Sequence, residues 1–254
     1  MNDPIHLKLI EFLSFSLNSF VTEITQSKHR KTSKKSLFQL ALIGRIHERS
    51  DALLVLLDQD RDHSIAELVR AVLEAHAALH FLTHEHKATF RLELESNLDA
   101  QRMLSRAVLS GLLTPTEEKV ANRSVSRLKR RQKVLKTRGI HASKKSDRVE
   151  ALGPLLRLAY SLLSAESHHD LRWLSESHFD VSNDMLQVRA GDRHSDRTLI
   201  IYVAVVLQAI AAAVDLYANT LVVADHKHKW RVLRREQTKL IAEFDTWGKE
   251  VIGP

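Results

Sequence analysis

The chain has 254 residues, and 44% of them are hydrophobic, which is enough for a substantial core in one large or two small domains. There is no cysteine, which excludes disulfides and thiolate metal sites, and the seven glycines and four prolines are few enough to favour long uninterrupted helices. The net charge of +7 is unevenly distributed, because residues 119–148 hold twelve lysines and arginines against one acid, whereas the rest holds 26 basic and 30 acidic residues.

Apolar periodicity and helix-start signals predict an all-α bundle of about seven or eight helices. The third helix, 64–84, is apolar around most of its circumference, so we expect it at the centre of the bundle. The segment 198–223 is long enough to cross a membrane, but Gln208, Asp215 and Asn219 interrupt it and favour a buried core helix. The expected helices cover residues 4–26, 36–57, 64–84, 87–110, 117–138, 154 onward, 198–223 and 229–252.

We interpret residues 1–254 as a single helical domain, with residues 115–148 as a basic helix and loop elaboration within it. The stretches 141–147 and 179–196 lack helical periodicity, so both are expected to be loops. The N-terminus has neither a basic region nor a small-residue cleavage site, so we expect no secretory signal and a cytoplasmic location.

The basic helix begins with a strong start signal, since Thr114, Pro115 and Glu117 form a capping box with proline at the first helical position. A solvated helical face usually mixes charges of both signs, but no acid follows Glu118 until Asp147. This pattern favours an RNA or DNA backbone as partner over a merely solvated helix, without base stacking, because the stretch has no aromatic residue. The expected nucleic-acid-binding residues are Arg123, Arg127, Lys129, Arg130, Arg131, Lys133, Lys136, Arg138, Lys144 and Lys145.

A polar stripe interrupts the apolar helix that starts at Pro154. Tyr160, Ser164 and His168 are four residues apart and therefore share one helical face. Burying such groups without partners is costly, and Arg70 and Glu74, one turn apart on the third helix, are suitable partners. The pattern predicts a shared polar cluster in the helical core, which is either a structural network or an active site.

Two segments carry a family resemblance. RAVLEAHAALHFL, with Arg70 and Glu74, and YSLLSAESH, with Tyr160, Ser164 and His168, resemble an uncharacterised bacterial all-helical family with Arg-x-x-x-Glu and Tyr-x-x-Leu-Ser-x-x-x-His motifs. That family is similar to the HEPN superfamily, many of whose members are metal-independent ribonucleases in toxin or antiphage systems. The superfamily's spaced arginine–histidine pair is not informative in this chain, because three such pairs occur (Arg70/His76, Arg172/His178 and Arg189/His194) and chance alone supplies that many.

The resemblance implies a concrete mechanism for a metal-independent endoribonuclease or toxin. His168 would act as general base toward a ribose 2′-hydroxyl, and Arg70 would stabilise the charge that develops on the phosphate. Glu74 would orient Arg70, while Tyr160 and Ser164 would position His168 or the phosphate. A cyclic phosphate is the expected product, and neither a metal nor another cofactor is required.

Two alternatives stay open. The first is a zinc site on the third helix, because His76, His80 and His84 recur every fourth residue; a plain line of histidines is the more common meaning of this spacing. The second is a non-catalytic helical module that binds nucleic acid or a partner protein and uses the polar cluster to fix the register of its core. For either function we expect a homodimer formed through a long helix, no membrane contact, and a possible antitoxin or other partner protein.

Overall fold

The computed structural model describes residues 4–26, 33–59, 65–167, 179–182, 185–188, 195–221 and 226–252. It is an all-α bundle, as predicted, with one small two-stranded hairpin. The helices are α1 (Pro4–Gln26), α2 (Lys34–Asp58), α3 (Ile65–His84), α4 (Ala88–Leu109), α5 (Pro115–Thr137), α6 (Lys145–Glu150), α7 (Pro154–Ser167), α8 (Asp196–Leu216) and α9 (Lys227–Ile252). The strands are β1 (Phe179–Ser182) and β2 (Met185–Val188), paired antiparallel.

The main core is built around α3 and α8, which pack against each other and against α1, α2, α7 and α9. Twelve of the twenty residues of α3 are buried, which confirms its predicted central place. The reason is its composition, since apolar side chains surround most of the helix and leave only a narrow polar face. Buried α3 side chains that face different neighbours include Val69, Val72, Leu73 and Leu79.

Helix α8 is the most apolar helix of the described chain. The stretch 196–219 is long and apolar enough to span a membrane. Its most apolar 18-residue window has a mean hydropathy of 2.4, but 67% of that window is buried inside the bundle. Burial of this kind is typical of the core helix of a soluble protein. At its end, a π-helical turn (Tyr217–Leu221) brings the Tyr217 ring to 4.1 Å from the buried Trp230 ring of α9.

Helices α4 and α5 form an antiparallel arm, in which α5 packs along α4. The predicted capping box at its turn is confirmed, because the Thr114 hydroxyl accepts from the Glu117 amide and the Glu117 carboxylate accepts from the Thr114 amide. Helix α5 ends in a Schellman motif at Gly139, whose φ of 68° favours glycine. The motif turns Ile140 back onto Leu135 in a small buried cluster at the base of the arm.

Two expected loops contain regular structure instead. The hairpin β1–β2 lies within 179–196, and its strands of four residues are too short for alternation to be recognised in the sequence. Helix α6 begins at Lys145, inside the loop expected over 141–147. Its six residues are held by Arg148, whose long-range partners cannot be read from local sequence.

Candidate functional site

The Glu74 carboxylate joins three helices at one point. Its Oε1 accepts from Nε of Arg70 at 3.3 Å and from the hydroxyl of Tyr160 at 3.4 Å, and its Oε2 accepts from Nζ of Lys145 at 2.8 Å. The Arg70 guanidinium also lies over the Tyr160 ring, with its central carbon 5.5 Å from the ring centroid. We call these four side chains, from α3, α6 and α7, the Glu74 junction.

The junction is partly open to solvent. The side chains of Arg70 and Glu74 keep 19% and 20% of their surface exposed, and that of Lys145 keeps 51%. Its two cationic side chains are donors that can contact an anionic group arriving from solvent. The arrangement can therefore serve either as a brace for α6 and α7 on α3 or as a phosphate-binding centre.

Only part of the predicted polar cluster is seen in the described residues. Tyr160 reaches Glu74 as predicted, and Ser164 lies one turn further along α7 with its hydroxyl oxygen buried. His168 lies outside the described residues. So do both members of the Arg172/His178 and Arg189/His194 pairs, and His76 lies in the core on a different face of α3 from Arg70.

Three cations of the basic segment are engaged in ion pairs with carboxylates of the bundle. Arg131 donates from Nε and Nη2 to Glu93 of α4 at 2.8 and 3.0 Å, and Lys34 of α2 contacts the same carboxylate at 2.9 Å. These hydrogen bonds, that of Arg131 foremost, hold the pKa of Glu93 below its usual value. The other two are Lys145 in the Glu74 junction and Arg148, which forms a pair with Glu95.

The Arg148–Glu95 pair is the most buried of these. Arg148 is 5% exposed and donates to the Glu95 carboxylate at 2.5 and 3.0 Å, and to the Ser143 hydroxyl at 2.6 Å. Its guanidinium lies 6.0 Å from the centroid of the Phe81 ring, and that of Arg91 lies 5.2 Å from the same centroid. These contacts fix the chain after α5 against α3 and α4.

The outer face of α5 presents its cations to solvent. Lys119, Arg123, Arg127 and Arg130 lie along one side of the helix and line a shallow depression of about 790 Å³, with Glu118 at its edge. Within the described chain, none of these four cations forms an ion pair. With a rise of 1.5 Å per residue, the row is about 17 Å long. We call it the α5 cation row; Lys129, Lys133, Lys136, Arg138 and Lys144 are exposed nearby.

The histidine stripe of α3 runs from the core to the surface. His76 is 8% exposed, and burial, reinforced by the nearby His80, lowers its pKa to about 4. The rings of His80 and His84 lie 4.2 Å apart, and His84 directs its Nδ1 at the His80 carbonyl. Among the residues that the structure describes, no group of three or more histidine, aspartate or glutamate side chains is placed to hold a metal ion.

Part of this site could not be recognised in the sequence. Lys145 and Arg131 are both in the set expected to bind nucleic acid. In the structure Lys145 forms an ion pair with Glu74, and Arg131 forms one with Glu93. Glu93 and Glu95 carried no signal, because isolated glutamates on an amphipathic helix are ordinary surface residues. Only the contacts made across helices distinguish the engaged cations from the outward ones.

Comparison with known proteins gives one match. No curated protein and no solved structure matches this chain. A family model described as a family of unknown function (DUF5677) matches residues 38–186, more than half of the chain. The match runs from within α2 through α7 and includes the Glu74 junction, the whole α4–α5 arm and the carboxylates that hold it. The chain therefore belongs to this family of unknown function, DUF5677.

Proposed function

We propose that this protein binds RNA through the α5 cation row. The observation that carries the proposal is the division of the basic segment: carboxylates of the bundle engage Arg131, Lys145 and Arg148, and the α5 cation row has no such partners in the described chain. Like charges one turn apart repel one another, so the row is most stable when it faces a polyanion. A straight row of cations without aromatic side chains fits a phosphate backbone and reads no particular base.

A four-residue substitution tests this proposal. Changing Lys119, Arg123, Arg127 and Arg130 to glutamine should weaken binding of a fluorescent RNA in anisotropy titrations. If four phosphates are contacted, the logarithm of the binding constant should fall with the logarithm of salt concentration with a slope of about −3 to −4, and the variant should flatten it. The same titration with single- and double-stranded DNA shows whether the partner is RNA in particular.

The matched control lies on the other helix of the same arm. Arg102 and Arg106 of α4 are exposed, so changing both to glutamine lowers the positive charge of the arm without touching the α5 cation row. RNA affinity and salt slope should stay near those of the unchanged protein. A loss of affinity in proportion to the charge removed, about half that of the four-residue variant, would mean that only overall charge attracts RNA, and the proposed site would be rejected.

We also propose that the Glu74 junction is the catalytic centre of a HEPN-like, metal-independent endoribonuclease, such as a toxin of a bacterial antiphage or conflict system. Supporting this are the solvent access of the junction, its two cationic side chains and its place where three helices meet. In the proposed reaction, His168 takes the proton of a ribose 2′-hydroxyl, and that oxygen attacks the adjacent phosphorus. The bond from phosphorus to the 5′-oxygen breaks, and that oxygen leaves as a 5′-hydroxyl with a proton taken from solvent water. A cyclic phosphate remains, while Arg70 stabilises the charge that develops on the phosphate.

Separate measurements of activity and stability test the catalytic proposal. His168→Ala and Arg70→Gln should each abolish cleavage of RNA, or growth inhibition on expression, while the melting temperature of His168→Ala stays near normal. Tyr160→Phe should retain partial activity, because the ring that lies against Arg70 remains. Full cleavage by the His168→Ala protein would refute the mechanism, as would the absence of any cleavage by the unchanged protein across single-stranded and structured RNAs.

The alternative is a non-catalytic helical module whose arm binds a partner protein. One observation favours it: large apolar side chains are exposed towards the far end of the arm, with Leu109 and Leu112 85% and 86% exposed. Such a surface suits a second copy of this chain in a cytoplasmic homodimer, or an antitoxin. Light scattering after chromatography should show a dimer that Leu109→Ser and Leu112→Ser dissociate, and a monomer for the unchanged protein would contradict the dimer.

A further inference from the structure

A second cationic groove lies on the bundle, away from the α5 cation row. Arg231, Arg235 and Lys239 are four residues apart on α9, so they share one face, and all three are exposed. Glu236 lies on another side of α9, where it lines a depression shared with α1. The face that carries the three cations therefore has a single sign of charge over this stretch.

The opposite wall of the groove is formed where α8 gives way to its π-helical turn. Ala218 and Asn219 of this turn and Thr238 of α9 line the groove together with the cations, around a volume of about 600 Å³. A π-helical turn widens the helix locally and is frequent at binding sites. The volume lies within the range of small-molecule sites, about 300 to 1,000 Å³.

The two walls are held in place by packing and by a carboxylate. The centroids of the buried Tyr217 and Trp230 rings lie 4.1 Å apart, and this contact connects the π-helical turn with α9. Asp215 accepts from Nε of Arg234 at 2.5 Å and from the Asn219 amide at 3.2 Å. The groove is thus assembled before any ligand arrives, which reduces the entropy lost on binding.

The charge of the groove identifies the class of ligand. Asp215 offsets Arg234, whereas no carboxylate among the described residues forms an ion pair with Arg231, Arg235 or Lys239, so the described lining of the groove carries three further positive charges. Guanidinium groups bind phosphate oxygens through pairs of parallel hydrogen bonds, and two of the three cations are arginines. Among the described residues that line the groove there is no aromatic side chain against which a base could stack.

We propose that this groove binds a compact polyphosphate: a triphosphate group, either free or as the tail of a nucleoside triphosphate. Arg231, Arg235 and Lys239 contact the phosphate oxygens, and the nucleoside, when present, extends into solvent. The site is independent of RNA binding by the α5 cation row, because it uses other residues on another part of the bundle.

Calorimetric titration of the full chain with sodium tripolyphosphate, ATP and GTP, each without metal ions, tests the proposal. All three should bind with similar affinity, because the groove recognises phosphate and not the base. Arg231→Gln together with Arg235→Gln should weaken all three by about tenfold or more, since two charge-assisted contacts are lost. Lysine at both positions should restore part of the affinity, because the charge is kept while paired guanidinium contacts are lost.

The matched control is Arg123→Gln together with Arg127→Gln on α5, which removes the same charge from the other cationic surface. It should leave tripolyphosphate binding unchanged while it weakens RNA binding, so failure of one site is distinguishable from failure of the other. Three results would overturn the proposal: no binding of tripolyphosphate, binding of ATP alone, or an α9 variant that loses RNA affinity but keeps its polyphosphate affinity. The last result would assign the groove to an RNA surface.

Discussion

Arg131 and Glu93 face each other across the α4–α5 arm, joined by two hydrogen bonds of 2.8 and 3.0 Å. Arg130, the preceding residue, is exposed and lines the α5 cation row. Two adjacent arginines of one basic run therefore differ in role, because successive residues of a helix point about 100° apart. One attaches α5 to α4, and the other is available to a ligand.

This contrast predicts opposite phenotypes for two neighbouring substitutions. Arg131→Gln should lower the free energy of unfolding by about 1 kcal/mol, since it breaks a half-exposed paired contact on a nearly buried carboxylate. Arg130→Gln should change it by less than about 0.5 kcal/mol and should weaken RNA binding instead. Urea unfolding and anisotropy measure the two effects, and equal stability of the two variants would contradict the assignment.

The loss of folding stability at low pH should depend on Glu93. Its pKa is lowered in the folded chain, chiefly by the hydrogen bonds from Arg131, so folding favours the ionised form. The resulting stability is fully present above the ordinary glutamate value of 4.5 and is lost as the pH falls through the lowered pKa. Melting temperatures between about pH 3 and 7 should therefore fall less steeply on acidification for Glu93→Gln than for the unchanged protein. If the melting temperatures of both proteins fell in parallel, Glu93 would not contribute to the loss of stability in acid.

His76 should add a second pH dependence at milder acidity. Burial lowers its pKa from 6.5 to about 4. Between these two pH values the His76 ring is therefore protonated in the unfolded chain and neutral in the folded chain. Stability is therefore greatest above about pH 6.5 and falls as the pH drops towards 4, by about 3 kcal/mol in all. His76→Leu should be more stable than the unchanged protein at pH 5, and its advantage should shrink at pH 8. An advantage that is independent of pH would show that packing, not protonation, is responsible.

The contributions of Arg148 and Glu95 to the free energy of unfolding should be strongly coupled. Arg148→Met alone should cost about 3 to 5 kcal/mol, because it leaves the Glu95 carboxylate without its guanidinium in a largely buried setting. Arg148→Met combined with Glu95→Gln should recover much of that loss, since no uncompensated charge remains. Chemical unfolding of the two single variants and the double variant measures this coupling. If the changes in the free energy of unfolding were additive, the two residues would not be energetically coupled.

The α4–α5 arm shows which structural features can be predicted from local sequence. Its helices, the capping box at Thr114 and the termination at Gly139 follow from nearest neighbours, so they were predictable within a few residues. Tyr160 was correctly directed to Glu74 because both lie at helical spacing on apolar helices. The contact between Lys145 and Glu74 was not predictable, because it joins residues 71 positions apart.

The sequence by itself determined the all-α architecture, the central place of α3, the burial of most of α8 and the existence of a strongly basic helix. These properties depend on apolar periodicity, capping and composition, which act over a few turns of helix. Only the tertiary structure decided which cations of that basic segment are engaged by Glu74, Glu93 and Glu95 and which face solvent. The physical reason is that ion pairs between helices depend on how the helices pack, and a cation on a helix surface has the same sequence signature whether a carboxylate or a ligand neutralises it.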